Sequence, residues 1–517
     1  MANFKMFESI RGALLKPATM RNEAGGLAYV RSPDTALALY AATGCLNGTF
    51  YADDETQLQR VLQLAGEASA EFVAKTAIYA RQKAHMKDVP ALLLATLTMR
   101  NGDALERAFA KVIDNGRMLR NFVQIVRSGR IGRKSLGSQP KRLVQRWLEQ
   151  ASVDAIIAAA VGQAPSLGDV IKMVHPKPVD AQRAALYAWV IDKPYSADAL
   201  PAKLQAYEAF KRNVDQELPD LPFQYFSALQ LDAAQWKMIA ANASWQTLRM
   251  NLNVFARHAV FEDEELTKVL AARLCDPQRI ERARVLPYQL MTAFFAVGPK
   301  VPESIKQALQ DAMEIATRNV PVLTGNVVVA VDVSGSMRSP VTGFRKGATS
   351  VVRCVDVAAL IAVSLRRANP ATQVLPFDTC VHATSLKPDA SVMAQAAELA
   401  NTGGGGTSVS APLAAINAGK QKVDLLVVVS DNASWKDTRS GGATQTMQEW
   451  ARIRARCPMA RMICIDLQPT ATSQTVESPD VLHIGGFSDA VFEVLAGYAA
   501  HGETAPRWVE QIEAIAL

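Results

Sequence analysis

The spacing of apolar residues divides the chain into two parts. From about residue 30 to 315, apolar residues recur every three or four positions between short polar breaks, as in "ETQLQRVLQLAGEAS" (55–69) and "ALERAFAKVIDNG" (104–116). This spacing is typical of amphipathic helices. Many consecutive helices with short connections predict an α-solenoid of HEAT-like helical hairpins. No exact sequence period marks the repeats.

After "VPVLTGN" (320–326) the pattern changes to short unbroken apolar runs. The runs at 327–333, 372–378, 424–430 and 462–467 alternate with segments of helical spacing. Because fully apolar runs are typical of strands buried on both faces, we expect a doubly wound, mostly parallel α/β sheet covered by helices. The fold class is therefore α plus α/β, with domains at 1–320 and 321–517, as a chain of 517 residues allows.

The lengths of the apolar runs and the spacing of the cysteines indicate the cellular compartment of the protein. The longest apolar runs, such as "LLVVV" (425–429), are far shorter than the ~20 residues that cross a bilayer, and the first residues contain no secretory apolar segment. The six cysteines are scattered without a CxxC pair, which fits a reducing compartment and predicts core thiols. We expect a cytoplasmic protein with no membrane partner.

The net charge of +7 is unevenly distributed. Residues 1–320 carry 40 Lys and Arg against 32 Asp and Glu, whereas the remainder carries 16 against 17. Between Asp114 and Glu149 there are nine cations and no acidic residue. This stretch favours a polyanion such as RNA, and its alternative interpretation is a solvated basic loop.

Small oxygen-bearing side chains end the first apolar run. Asp332, Ser334 and Ser336 alternate in "VDVSGSM" (331–337), where turn chemistry is the alternative to a metal site. Thr407 follows the glycine-rich "TGGGG", and Asp431 follows the run at 424–430. Three strand or loop ends therefore supply oxygen ligands of the kind that Mg²⁺ prefers.

This five-residue combination resembles the metal-ion-dependent adhesion site of von Willebrand factor A domains. The resemblance implies that Asp332, Ser334, Ser336, Thr407 and Asp431 surround a divalent cation, Mg²⁺. It also implies an open coordination position that would accept an acidic group from a partner. The six histidines form no HExxH and lie in no nucleophile signature, so we expect binding and no enzymatic activity.

Several N-terminal phrases resemble the TROVE module of the Ro ribonucleoprotein autoantigen family. They are "NEAGGLAYV" (22–30), "KDVPALLLATL" (87–97), "SLGDVIKMVHPKP" (166–178), "WQTLRMNLNVF" (245–255) and "RARVLPYQLMTAFFAV" (282–297). The resemblance implies a monomeric ring of helical repeats closed by the A-type domain. It further implies small Y RNAs on the outer surface, single-stranded 3′ ends of misfolded or immature RNA in the central hole, and a 3′-to-5′ exoribonuclease as a partner in RNA quality control.

The candidate RNA-binding residues come from the basic stretch and from these phrases. Lys172 matches a region whose basic residues bind RNA in related Ro proteins, whereas His175 precedes a proline and has packing or capping as its alternative. Asn253 and Arg284 have structural hydrogen bonding or ion pairing as alternatives. The full set is Arg117, Arg120, Arg127, Arg130, Arg133, Lys134, Lys141, Arg142, Lys172, His175, Lys177, Arg249, Asn253 and Arg284.

Two other function classes use similar parts. One is a metal-dependent protein–protein interaction scaffold without RNA. The other is a subunit of a metal-chelatase or motor complex, although no Walker sequence accompanies the A-type domain here.

Overall fold

The computed structural model describes residues 15–43, 46–162, 165–213, 217–227, 229–283, 285, 287–344, 351–434, 442–488, 490–501 and 506–517. Two short strands, β1 (Met20–Arg21) and β2 (Leu27–Val30), come first. The helices that follow them are α1 (Pro33–Thr43), α2 (Asp54–Glu67), α3 (Ala70–Gln82), α4 (Asp88–Leu97), α5 (Ala104–Val112), α6 (Gly116–Arg127), α7 (Ser138–Gln150), α8 (Val153–Ala160), α9 (Leu167–Val174), α10 (Ala181–Val190), α11 (Ala202–Arg212), α12 (Ala233–Asn242), α13 (Trp245–Met250), α14 (Leu252–Arg257), α15 (Glu264–Leu274), α16 (Pro277–Ala283), α17 (Pro287–Ala296) and α18 (Glu303–Ala316).

One arginine contact recurs along this helical array. Arg100, Arg183 and Arg273 each donate hydrogen bonds to backbone carbonyls at the C-terminal end of an earlier helix, respectively α2, α7 and α12. The last carbonyls of a helix have no partner within it, and the helix dipole favours a cation there. The recurrence marks a repeated unit that the sequence period does not reveal.

The C-terminal part is the predicted α/β domain. Its elements are β3 (Val327–Asp332), α19 (Cys354–Ala368), β4 (Gln373–Phe377), α20 (Val392–Ala400), α21 (Ser410–Ala418), β5 (Leu425–Ser430), α22 (Gln445–Arg456), β6 (Arg461–Asp466), β7 (Thr472–Ser473), β8 (Val481–Gly485), α23 (Ala490–His501) and α24 (Trp508–Glu513). Five of the strands form a parallel sheet in the order β4-β3-β5-β6-β8. The predicted fold class is confirmed, and the four predicted apolar runs are β3 to β6.

Alternate residues of β3 face two different cores. Val327, Val329 and Val331 belong to the core that includes α19 and α20, whereas Val328 and Ala330 pack with residues of α21 and α22. Helices therefore cover both faces of the sheet, as its unbroken apolar strands predict. No described helix combines the length and apolar composition that a bilayer crossing requires.

The N-terminal segment crosses the expected domain boundary. β2 pairs antiparallel with β7, so residues 20–30 extend the surface of the A-type domain. Arg31 then enters that domain's interior, where it pairs with Asp466 at 2.8 Å and lies 3.0 Å from His483 Nδ1. Because a guanidinium only donates, His483 Nδ1 accepts, and its Nε2–H donates to Thr475 Oγ1 at 2.7 Å.

The A-type domain contacts both ends of the helical array. Near the first helices, Lys83 pairs with Glu493 at 2.8 Å, and the rings of Tyr79 and Trp508 meet edge to face. At the other end, α17 and α18 contact the same domain, through the Tyr288–Phe487 ring contact and the Arg367–Glu314 ion pair. The helices and the A-type domain therefore close into a ring.

The buried Arg31–Asp466 pair is expected to stabilise this closure strongly. Both side chains are 2% exposed, so Arg31→Ala leaves a buried carboxylate without its counter-charge. We expect the free energy of unfolding to fall by about 3 kcal/mol, measured by urea denaturation. The matched control is Lys83→Ala, whose exposed pair with Glu493 also joins the helices to the A-type domain and should cost less than about 1 kcal/mol. Equal losses in the two variants would contradict this assignment.

Candidate functional site

Asp332, Ser334 and Ser336 lie where β3 ends, and all three are buried. The backbone N–H of Ser334 donates to Asp332 Oδ1 at 2.9 Å, which folds the loop back toward the strand end. This turn brings the hydroxyls of Ser334 and Ser336 to 3.3 Å from each other. The alternation in the sequence therefore places two hydroxyls and a carboxylate on one side of the loop.

Two further strand or loop ends reach the same edge of the sheet. The glycine-rich loop is tied to the β3 loop by the N–H of Gly335, which donates to the Gly405 carbonyl at 2.8 Å, and Thr407 follows it. Asp431 directly follows β5, the neighbour of β3. The Ser434 hydroxyl donates to the Thr407 carbonyl at 3.2 Å, which joins the second and third segments.

Asp332 and Asp431 are buried carboxylates whose charged forms are unfavourable without a counter-ion. Burial raises the pKa of Asp332, and hydrogen bonds from Ser334 and Ser430 oppose that shift. Burial and the charge of Asp332 raise the pKa of Asp431, whose Oδ2 is buried without a hydrogen-bond partner among the described residues. An orphaned carboxylate oxygen beside hydroxyl oxygens is a donor set that suits a hard divalent cation.

Two residues of the protein's own N-terminal segment lie near this site. Burial and the charge of Asp431 raise the pKa of Tyr51, while a hydrogen bond with the Ser336 side chain lowers it. Asn22 Nδ2 donates at 2.6 Å to the carbonyl of Ser434, three residues after Asp431. The position open to an acidic group from a partner stays a prediction.

The basic stretch retains unpaired cations on and around α6 and α7. Arg117, Arg127, Lys134, Lys141 and Arg142 form no ion pair with any described acidic residue, and Arg117, Arg127, Lys134 and Arg142 are exposed. We call these five residues the basic surface. Phosphate groups would restore the missing counter-charge there.

Arg120 lies beside this surface and is partly buried. Its Nη1 has no hydrogen-bond partner among the described residues. Burial and the nearby charge of Arg117 lower its pKa. Two neighbouring guanidiniums without an acidic partner are unfavourable unless an anion binds between them.

Two predicted RNA-binding arginines have protein partners in this structure. Arg130 pairs with Glu55 at 2.8 Å, an acid supplied by α2, and Arg133 donates to the carbonyls of Thr98 and Ser135. Arg133 therefore holds its own loop in place, and the assignment of both arginines to RNA stays a prediction. Gly129 and Gly132 have φ of 83° and 86°, which defines successive turns in that loop.

The basic residues in α9 and just after it are exposed to solvent. Lys172, His175 and Lys177 are all exposed, and Gln145 of α7 donates to the Val174 carbonyl at 2.6 Å, so α7 and α9 share one surface. His175 ends α9 with a left-handed backbone at φ 52°, which is the capping role foreseen as its alternative. Its exposed ring remains available to a ligand.

Arg249 and Asn253 line a cavity of about 450 Å³, which we call the inner cavity. Arg249 is 9% exposed, donates to the Gln289 carbonyl at 2.8 Å and stacks on Trp245. Asn253 uses both amide atoms on the backbone, donating to the Ala296 carbonyl and accepting from the Gly298 N–H, each at 2.7 Å. Asn253 therefore supports the cavity wall, as its structural alternative foresaw, and its assignment to RNA stays a prediction. Arg284 lies outside the described residues.

Sequence reasoning missed Lys87, which lines the inner cavity from the opposite end of the helical array. Burial lowers its pKa, and the charges of Arg117 and Arg81 lower it further. The residue stands at the start of "KDVPALLLATL", a phrase noted only for its family resemblance. The sequence does not indicate this position of Lys87, because α4, α13 and α17 come together around the cavity only in the folded protein.

Comparisons with known proteins agree with this architecture. Residues 326–499 match the Ro60 vWA domain family. The RNA-binding protein RO60 of Deinococcus radiodurans is 26% identical over 93% of this chain and 95% of its own length. The crystal structure of the Deinococcus radiodurans RO (RSR) protein covers 90% of this chain and 99% of its own with a TM-score of 0.62 at 21% identity.

The name of this relative is that of a binding protein, in agreement with the prediction that the chain is not an enzyme. The family resemblance is confirmed over both the helical part and the A-type domain. Residues 326–499 therefore match the Ro60 vWA domain family, and nearly the whole chain is similar in sequence to an RNA-binding Ro protein.

Proposed function

We propose that this protein binds RNA in two places and acts, as a monomeric ring, in RNA quality control, processing or decay. Structured small RNAs of the Y RNA class bind the basic surface, and single-stranded 3′ ends of misfolded or immature RNAs enter the inner cavity. A 3′-to-5′ exoribonuclease is the proposed processing partner. The observation that carries the proposal is the set of exposed, unpaired cations in a chain that resembles an RNA-binding protein along nearly its whole length.

The basic surface supports binding of a folded RNA backbone. Its cations come from α6, from α7 and from the loop between them, and Lys172 and Lys177 lie beside α7. Cations spread over several elements can contact phosphates spaced along an RNA strand, and such contacts do not depend on the base sequence. We therefore expect affinity that depends steeply on salt.

The inner cavity supports binding of a single strand. Lys87 and Arg249 face it from two separate helical segments, and burial lowers the pKa of both side chains. A phosphate between Lys87 and Arg249 would stabilise the charged forms of both side chains. The volume of about 450 Å³ suits a nucleotide or two and excludes a duplex.

A salt titration of binding tests the proposal. A hairpin RNA with a single-stranded 3′ tail should bind at low salt, and the logarithm of its affinity should fall linearly with the logarithm of the salt concentration. Indifference to this RNA at low salt would refute the proposed function and favour the protein–protein scaffold.

Lys87→Glu is expected to weaken binding of the tailed RNA by about tenfold, because it places an anion in the inner cavity. The same hairpin without its tail should bind as before, since it uses the basic surface. Lys83→Glu, an exposed position on the preceding turn, is the matched control and should change neither affinity. An equal loss for tailed and blunt RNA would show that the two binding places are not separate.

We also propose that the site at the ends of β3 and β5 binds a divalent cation, Mg²⁺. Asp332, Ser334, Ser336, Thr407 and Asp431 would hold it, and the cation would neutralise the two buried carboxylates. The orphaned Oδ2 of Asp431 supports the assignment. Because Asn22 donates to the Ser434 carbonyl close to Asp431, the cation would stabilise this contact between the N-terminal segment and the A-type domain.

A further inference from the structure

Three chemically different ligand groups follow β4 in alternation. Asp378, Cys380 and His382 occupy the segment "DTCVH", where the chain reverses tightly: Phe377 and Val381 pair across the turn, and the Asp378 N–H donates to the Cys380 carbonyl at 3.0 Å. The reversal gathers a carboxylate oxygen, the thiol sulfur and an imidazole nitrogen within 4.8 Å of one another. Asp378 Oδ1 lies 2.9 Å from His382 Nε2 and 3.9 Å from Cys380 Sγ.

We propose that Asp378, Cys380 and His382 form a second metal site, which binds a transition-metal ion of the Zn²⁺ class. Zinc is held at about 2.3 Å by sulfur and about 2.0–2.2 Å by nitrogen or oxygen in tetrahedral geometry, which places ligand atoms roughly 3 to 4 Å apart. The separation of 3.9 Å between Asp378 Oδ1 and Cys380 Sγ lies in this range, and that of 2.9 Å between Asp378 Oδ1 and His382 Nε2 is slightly shorter. A thiolate with an imidazole selects a softer ion than Mg²⁺, so this site and the Asp332 site differ in chemistry.

The histidine is oriented for such an ion. His382 Nε2 is buried and lies 2.9 Å from Asp378 Oδ1, so the ring nitrogen faces the carboxylate. A metal ion bound to both atoms would replace this contact.

The glycine-rich loop forms a cradle over the three residues. A Cβ added at Gly403 would lie 3.1 Å from Asp378 Oδ2 and 3.2 Å from His382 Nε2, and one at Gly405 would lie 2.9 Å from the same oxygen. The Gly405 N–H donates to Asp378 Oδ2 at 3.0 Å, and the N–H groups of Thr379 and Cys380 donate to Oδ1, so backbone groups orient both oxygens of the carboxylate. A side chain at position 403 or 405 would crowd the Asp378 carboxylate, which explains why both residues are glycine.

The remaining coordination position is accessible. Cys380 is exposed and lines a cavity of about 510 Å³ with Leu27, Ser408 and Gln445, so an ion and its fourth ligand, a water molecule, can enter from solvent. Binding displaces the proton of the Cys380 thiol to solvent and requires a neutral His382. Because the same loop carries Thr407, the ion would also steady one ligand of the Asp332 site.

The described cysteines match the prediction of core thiols only in part, and Cys380, the proposed metal ligand, is one of the exceptions. Cys354 and Cys464 are buried as predicted, whereas Cys380 is exposed and Cys275 and Cys457 are partly exposed. Cys45 lies outside the described residues. The search for CxxC spacing missed Cys380 because its partners in "DTCVH" are a carboxylate and an imidazole.

Co²⁺ titration of the full-length, chelator-treated protein tests the proposal. One equivalent should produce a thiolate-to-cobalt charge-transfer band with tetrahedral ligand-field bands, Zn²⁺ should abolish them, and excess Mg²⁺ should leave them unchanged. Cys380→Ala and His382→Ala should each lower Co²⁺ affinity at least tenfold, whereas the control Cys457→Ala, at another partly exposed thiol, should bind as the parent does.

Absence of the charge-transfer band in the parent protein, or its retention in Cys380→Ala, would overturn the proposal. Circular dichroism verifies that the variants fold. If an alanine variant does not fold, Cys380→Ser replaces it, with bound zinc measured by mass spectrometry; parent-like zinc content in Cys380→Ser and His382→Gln together would equally overturn it.

Discussion

The triple variant Arg127→Glu, Arg142→Glu and Lys172→Glu is expected to bind a structured RNA about a hundredfold to a thousandfold more weakly at low salt. All three side chains are exposed, and none has an acidic partner at ion-pair distance among the described residues. Removing three phosphate contacts should also reduce the slope of log affinity against log salt by about 3. Filter binding over a salt series measures both quantities.

The matched control reverses three cations elsewhere on the helical array: Arg279→Glu, Lys268→Glu and Lys306→Glu. Each of these residues pairs with an acid on its own helix or beside it, and the change in net charge is the same. RNA affinity should fall far less, through the long-range field alone. Equal losses in the two triple variants would show that net charge, and not the basic surface, determines binding.

Asp332→Ala is expected to abolish Mg²⁺ binding while changing RNA affinity less than about twofold. The variant removes one of the two carboxylates that would neutralise the cation, and the site lies at the sheet edge of the A-type domain, whereas the basic surface lies on α6, α7 and the loop between them. Isothermal titration calorimetry with Mg²⁺ measures the first effect. The control Asp389→Ala removes an exposed carboxylate from the same domain and should retain full Mg²⁺ binding. Mg²⁺ binding by Asp332→Ala at the parent's affinity would show that the site is misassigned.

The effect of Mg²⁺ should depend on pH with a definite sign. Burial raises the pKa of Asp332 and of Asp431 above the usual 3.8, so without a cation the folded state binds protons more tightly than the unfolded state. Stability without Mg²⁺ should therefore fall as the pH rises from that usual value through the raised pKa values. Because Mg²⁺ competes with these protons, the Tm increase that Mg²⁺ produces should be larger at neutral than at mildly acidic pH.

The local pattern of apolar residues was sufficient to predict four of the five strands of the C-terminal parallel sheet; β8 was not predicted. The runs that became β3 to β6 are apolar on both faces, and such runs leave few alternatives to a covered parallel sheet. The convergence of Asp332, Thr407 and Asp431 also followed from the pattern, since parallel strands end at one edge. The short β2 and β7 were not predicted, because two to four residues carry too little periodicity to identify a strand.

The protein partners of the predicted RNA-binding residues lie far away in the chain. Nothing near Arg130 in sequence indicates Glu55, and nothing near Asn253 indicates the backbone of 296–298. Ion pairs and amide contacts of this kind form only after helices pack. For the same reason Lys87, with no acidic or basic run around it, became a candidate only through the cavity that it shares with Arg249.

The sequence by itself determined the change from a helical part to an α/β part, the sheet edge that carries the oxygen ligands and the location of the excess positive charge. These features depend on periodicity and composition, which are local. Only the tertiary structure decided which cations remain unpaired among the described residues, and that Asp378, Cys380 and His382 meet beneath a glycine loop. Those outcomes depend on distances between segments far apart in the chain, which ring closure and packing establish.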